Sequence, residues 1–287
     1  MDFRLTEDQR ALRRGVRELL ARLFDREALR AAVDAPPSLD RGLWRELGAA
    51  GFFALRLPEE EGGVGLGLPE AVLLFEEAGR VLLPGPLVAT HVAAGVVPGA
   101  ADGSVVVTSA DEGLVPWLDG ADVVLGDVTG AVPVRSVDPL TPLHRVPGTG
   151  GTAEGVSVLL TAAEQVGSAA ATTGTAVEYA RTRVQFGQVI GGFQAVKHLC
   201  AGMLVRTELA RAAVWAAAVT GDPVEVAGAK LLADEAAVGN ARDCLQVHGG
   251  MGFTWEAEVH LHLKRAWVRA ELGMTAARAE EVAAAAL

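Results

Sequence analysis

From about residue 156 to residue 287 the chain reads as a succession of long helical segments. Gly221-Asp222-Pro223 divides one pair of them and Gly249-Gly250-Met251-Gly252 divides another. Helices of this length with such short connections fold back on one another, which predicts an antiparallel four-helix bundle. Composition agrees, because half of the residues are apolar and only 5 % are aromatic. Much of the apolar share is Ala and Val, and small side chains let helices approach closely.

The first hundred residues also read as helices. Thr6 and Gln9 have the spacing of a reciprocal helix cap, and Leu12, Val16, Leu19, Leu20 and Leu23 follow as one apolar stripe. A second helix fits Asp40 to Ala49, burying Leu43, Trp44 and Leu47 and stopping at Gly51. The glycines of Leu57-Pro-Glu-Glu-Glu-Gly-Gly-Val-Gly-Leu66 exclude regular structure there. Pro69 suits the first turn of a third helix, predicted to run to about Leu83 and to end before Pro84-Gly85-Pro86. Between these regions lie short β-branched runs, Val105-Val106-Val107-Thr108, Val123-Val124-Leu125 and Val132-Pro133-Val134, separated by Asp, Gly and Pro. The expected fold class is therefore mainly α: an N-terminal helical domain over 1–102, a reduced β module over 103–155 and a C-terminal four-helix bundle over 156–287.

Charge and special residues narrow the function classes. A net charge of −11 argues against nucleic acid as the main partner, since phosphate backbones select basic surfaces. It leaves room for an anionic cofactor held by a few local arginines. Cys200 and Cys244 have no spacing for a disulfide framework or a zinc site, and His260 and His262 are two apart, off a shared helix face. The start of the chain is charged and lacks the apolar core of a signal peptide, and no apolar run reaches membrane-spanning length. A cytoplasmic location with reduced thiols is the expectation.

Two segments are more specific than composition. The first is Tyr179-Ala-Arg-Thr-Arg183-Val-Gln185-Phe186-Gly187-Gln-Val-Ile-Gly-Gly-Phe193-Gln194, and the second is Gln246-Val-His-Gly249-Gly250-Met-Gly-Phe-Thr-Trp-Glu256. Together they resemble the paired C-terminal signatures of the acyl-CoA dehydrogenase family. Leu5-Thr-Glu-Asp-Gln9 and Leu57-Pro-Glu-Glu-Glu-Gly-Gly-Val-Gly65 also resemble that family's N-terminal domain. The resemblance covers about 1–100 and 156–270. It implies α,β-desaturation of an acyl-CoA thioester, FAD as cofactor and electron-transfer flavoprotein as acceptor. It also implies that Arg183, Gln185, Phe186, Phe193, Gln194, Gln246, Gly249 and Gly250 hold the adenosine and pyrophosphate half of FAD. In that family a neighbouring chain's β domain holds the flavin ring, so one site spans two chains.

The side-chain chemistry suits those roles. A guanidinium fork offers paired charge-assisted hydrogen bonds to a pyrophosphate, and amides read ribose or adenine edges. Phe186 suits packing on a flat ring system, and the Gly pair lets backbone approach a ligand. Taken singly, each has a plainer reading: Arg183 as a solvated charge, Phe186 as core, Gly249-Gly250 as a helix–helix turn. Trp255 and Glu256 read as helix-start residues, and His198 and His248 as packing or polar neighbours of the motifs.

The resemblance fails in two places. The family's α-proton is taken by a carboxylate, and its two usual positions fall on Gly273 and near Ser157. Glu271 and Glu164 are the nearest carboxylates, both off register; a two-residue shift on a helix turns a side chain through about 200°. Both read as residues of a solvated face, and the catalytic base is left unassigned. The family's flavin-contacting segments are also absent between Gly103 and Gly155. The expected solution is a second, complete acyl-CoA dehydrogenase subunit in an α2β2 assembly. A self-sufficient homo-oligomer with a displaced Glu base, and a non-catalytic scaffold of the same fold, remain as alternatives.

Overall fold

A computed structural model describes residues 4–110, 113–147 and 155–286. Residues 148–154, which the sequence reading assigns to the β module, lie outside that set. Helix α1 (Glu7–Leu23) starts on the expected cap: Thr6 Oγ1 accepts from the Gln9 amide at 3.2 Å and Gln9 Oε1 accepts from the Thr6 amide at 3.0 Å. Val16 and Leu20 are its buried residues. Helix α3 (Arg41–Ala49) is capped by Asp40 and buries Trp44 and Leu47, with Leu43 half-buried. Helix α4 (Leu68–Arg80) has Pro69 in its first turn.

Two short helices depart from the sequence reading. Helix α2 (Arg26–Asp34) is capped by Asp25 and buries only Leu29 and Val33, too sparse a stripe to signal itself. Helix α5 (Leu87–Ala93) begins directly after Pro84-Gly85-Pro86, so α4 ends at Arg80 and the prolines separate two helices.

The middle of the chain holds strands of three residues each. β1 (Val107–Ser109) pairs in parallel with β3 (Val123–Leu125). β2 (Leu114–Pro116) and β4 (Val132–Val134) flank β5 (Leu143–Arg145), both antiparallel to it. The long elements follow: α6 (Gly155–Thr182), a small hairpin of β6 (Val184–Gln185) and β7 (Gln188–Val189), α7 (Gln194–Thr220), α8 (Pro223–His248) and α9 (Val259–Ala270). Asp222 caps α8, and its carboxylate accepts from the amides of Val224 and Glu225. The fourth helical segment is interrupted at Gly273, whose φ is +77°, and resumes as α10 (Ala276–Ala284).

One core joins the N-terminal helices to the bundle. Every residue of α4 from Ala71 to Gly79 is buried, which fits a helix enclosed on all sides, here with α1 and α6 among its neighbours. The α4–α6 contact depends on Gly79 and Gly167. A Cβ on Gly79 would overlap the Glu164 carbonyl, and one on Gly167 would overlap the Glu76 carbonyl. Beside this crossing, Trp44, Phe52, Phe53 and Phe75 form a chain of ring contacts with centroids 4.7 to 5.5 Å apart.

Candidate cofactor and acyl site

The nucleotide-type motifs meet at one end of the bundle. The last turns of α6 and α8 and the first turns of α7 and α9 share an apolar cluster around Ala180, Met203, Cys244 and Leu263. Tyr179 stacks on His248 across it, with centroids 4.1 Å apart. The loop after α6 and the turn after α8 therefore emerge side by side.

What emerges is open. In the β6–β7 hairpin Phe186 and Gly187 have φ of +54° and +80°, the left-handed conformations of a tight two-residue turn. That geometry pushes the Phe186 ring outward, 91 % exposed, with only the half-buried Phe193 ring at 6.1 Å. Arg183 is exposed, and its guanidinium has no carboxylate partner among the described residues. Gln194 is exposed at the start of α7 and bonds His198 at 2.9 Å. Gln185 turns its amide onto the neighbouring Val184 carbonyl, and Gln246 is exposed on the last turn of α8. Gly249 and Gly250 have no atom within 4 Å of where a Cβ would stand. A free guanidinium, an outward aromatic ring and unobstructed glycine backbone fit a bound dinucleotide better than a structural turn.

Trp255, His260 and Lys264 form a separate, structural stack. The indole donates to Asp34 at 3.2 Å, lies 5.0 Å from the His260 ring and carries the Lys264 ammonium at 4.8 Å. It ties α2 to the turn before α9.

The other end of α6 holds a cavity of about 70 Å³ between α5, α6, α9 and the strands. Gly273 directly follows Leu272 of its lining. A Cβ on Gly273 would stand 3.7 Å from Thr161 Oγ1 and 3.6 Å from the Val158 Cα, and Thr161 and Leu272 line the cavity. Gly273 thus meets the first turns of α6 just after Ser157, and neither expected position supplies a carboxylate.

Glu164 corrects the sequence reading. It lies seven residues from Ser157, two turns of helix, which restores the same face through Thr161. It is 5 % exposed, lines the cavity, and accepts from Arg269 Nη2 at 2.7 Å. Burial raises its pKa against the opposing pull of Arg269 and Arg265, and burial likewise brings Arg269 down to about 10. Arg265, also buried, pairs with Asp138 and donates to the Leu83 and Leu140 carbonyls. Neither arginine stands out in the sequence; the available signal was charge at i and i+4 on an otherwise apolar stripe of α9. Glu271, in contrast, is exposed at the end of α9.

Comparison with known proteins assigns this architecture to a class. The family description "Acyl-CoA dehydrogenase, N-terminal domain" matches residues 6–104, and "Acyl-CoA dehydrogenase, C-terminal domain" matches residues 156–286. The chain belongs to the acyl-CoA dehydrogenase family, flavin-dependent oxidoreductases acting on CH–CH groups. It is 37 % identical over 305 aligned positions to acyl-CoA dehydrogenase IpdE2 of Mycobacterium tuberculosis, covering 93 % of each chain. It is 35 % identical to acyl-CoA dehydrogenase FadE34 of the same organism, covering 91 % of this chain and 45 % of that one. Among solved structures, the ChsE4-ChsE5 complex of M. tuberculosis has a chain of the same fold, with TM-score 0.82, 24 % identity and 94 % of each chain covered. A chain of the Tcur3481-Tcur3483 steroid acyl-CoA dehydrogenase matches with TM-score 0.84, 24 % identity and 97 % of each chain covered.

Proposed function

We propose that this chain is one subunit of an FAD-dependent acyl-CoA dehydrogenase and completes the cofactor site of a different, full-length subunit. It supplies Arg183, Gln185, Phe186, Phe193, Gln194, Gln246, Gly249 and Gly250 to the adenosine and pyrophosphate half of FAD. The observation that carries the reading is the contrast between the two ends of α6. One end presents an exposed arginine, without a carboxylate partner among the described residues, and an outward phenylalanine, as one wall of a site that needs another chain. The other end has no carboxylate at either base position. FAD, when bound, accepts the β-hydride; this chain's part is to hold the pyrophosphate charge and exclude water beside the adenine. Two solved structures of this fold, Tcur3481-Tcur3483 and the ChsE4-ChsE5 complex, are two-component proteins, which supports an α2β2 arrangement here.

Replacing Arg183 by Ala tests the assignment. Loss of charge-assisted hydrogen bonds to the pyrophosphate costs about 2–4 kcal/mol, or roughly 30- to 1,000-fold in FAD affinity of the mixed complex. Helical content stays unchanged, because the side chain is exposed and makes no ion pair among the described residues. Equal FAD affinity in variant and wild type would remove the adenosine-half assignment.

A second reading has one observation in its favour. In a self-sufficient homo-oligomer, Glu164 would be the base, since it is a buried carboxylate of raised pKa on the cavity wall. Its ion pair with Arg269 counts against that role by holding the charge that would have to receive a proton.

A further inference from the structure

We infer that His198 fixes the orientation of the Gln194 carboxamide, so that this chain selects a cofactor whose purine carries a 6-amino group. The inference rests on the reading that Gln194 belongs to the wall of the adenosine half of FAD, and it names what reads the base there. Gln194 is the first residue of α7 and His198 follows one turn later, which brings the two side chains onto one face of the helix. The backbone beneath them is held in place, because Val196 and Leu199 pack into the apolar cluster shared by the ends of α6, α7, α8 and α9. Both side chains are exposed, and Gln194 Nε2 lies 2.9 Å from His198 Nε2.

The chemistry of that contact has one solution. A carboxamide nitrogen donates and cannot accept, so His198 Nε2 is the bare, accepting nitrogen and the ring proton sits on Nδ1. The amide nitrogen is thereby committed to the histidine. Gln194 Oε1 has no protein partner among the described residues and is left to a ligand as an acceptor. Arg183 is the opposite case: its guanidinium only donates, which suits a pyrophosphate that only accepts. In an adenosine the donors are the ribose hydroxyls and the 6-amino group. A hydroxyl both donates and accepts, so it is satisfied by either end of a glutamine, whereas the amino group needs the oxygen. A fixed acceptor therefore discriminates at the base, because a 6-oxo purine would set oxygen against oxygen. His198 acts through Gln194 and is a positioning residue.

The test compares the affinity of the mixed complex for FAD and for flavin hypoxanthine dinucleotide, its 6-oxo analogue. Both carry the same pyrophosphate, so the ratio of the two dissociation constants reports the base and is insensitive to charge changes at residue 198. Wild type should favour FAD by about tenfold, the scale of one hydrogen bond exchanged for a repulsion. His198→Glu presents only an acceptor to Gln194 Nε2 and should keep that preference. His198→Lys presents only donors, turns Gln194 Oε1 inward and Nε2 toward the base, and should bring the ratio to parity or reverse it. His198→Ala frees the amide to turn and should leave a preference of less than about threefold. Equal binding of the two flavins by wild type overturns the inference. So does one common ratio in wild type and all three variants, which would leave His198 a surface residue with no hold on the base. Failure of the broader reading looks different: no mixed complex retains either flavin, and the inference falls with it.

Discussion

His91 shows how a single buried group sets the pH range of this fold. It is 5 % exposed, packs edge-on against Phe75 at 5.2 Å and bonds the Phe52 carbonyl through Nδ1 at 3.2 Å. Burial lowers its pKa to about 4. The folded state therefore keeps it neutral, while the unfolded chain takes up a proton below the ordinary value near 6.5. Its contribution is complete above that value and is lost as pH falls toward 4, with a slope of up to about 1.4 kcal/mol per pH unit. Urea unfolding of wild type and His91→Gln between pH 7.5 and 4.5 measures this directly. The variant should lose stability less steeply across the window; parallel profiles would show that His91 does not carry the effect. Residue-level placement was readable where local chemistry fixed it, as at the Gly249-Gly250 break that ends α8. It was misread at Glu164, because burial comes from the packing of α4, α5 and α9 against α6, which no local pattern in α6 records.

Among the elements, the α4–α6 crossing is the contact on which the two helical regions depend. Gly167→Ala would push a methyl group into the Glu76 carbonyl, a backbone atom that cannot rotate away. The expected cost is about 3 kcal/mol, at the upper end of overpacking, and appears as a fall in thermal midpoint of several degrees. Gly174→Ala, seven residues along the same helix, meets no atom within 4 Å and should gain up to about 1 kcal/mol from helix propensity. An unchanged midpoint for Gly167→Ala would mean the helices can separate there without loss. The long elements were legible because their caps and breakers are local: Thr6, Asp40, Pro69, Asp222 and Gly221 stand where the helices begin or end. Helix α2 was not, since it buries only Leu29 and Val33, and α5 was not, since seven residues make about two turns. Strands β2 and β5 were missed because Leu114-Val115-Pro116 and Leu143-His144-Arg145 hold no run of β-branched residues, their pairing resting on partners distant in sequence.

At the scale of the whole molecule, the two ends of α6 are separated by about 18 residues between Glu164 and Thr182, or roughly 27 Å. One end carries the exposed Arg183 and Phe186, and the other a cavity of about 70 Å³ lined in part by the Glu164–Arg269 ion pair. On the proposed reading the chain works only in an assembly: purified by itself it should form a dimer or tetramer with little bound flavin, and a monodisperse monomer would count against the account. The most direct measurement is the flavin content and native mass of this chain co-expressed with a full-length family member as its partner subunit. The account predicts an α2β2 particle with one FAD for each pair of unlike chains, and near-zero flavin in this chain alone. One FAD per chain in the isolated protein would contradict it.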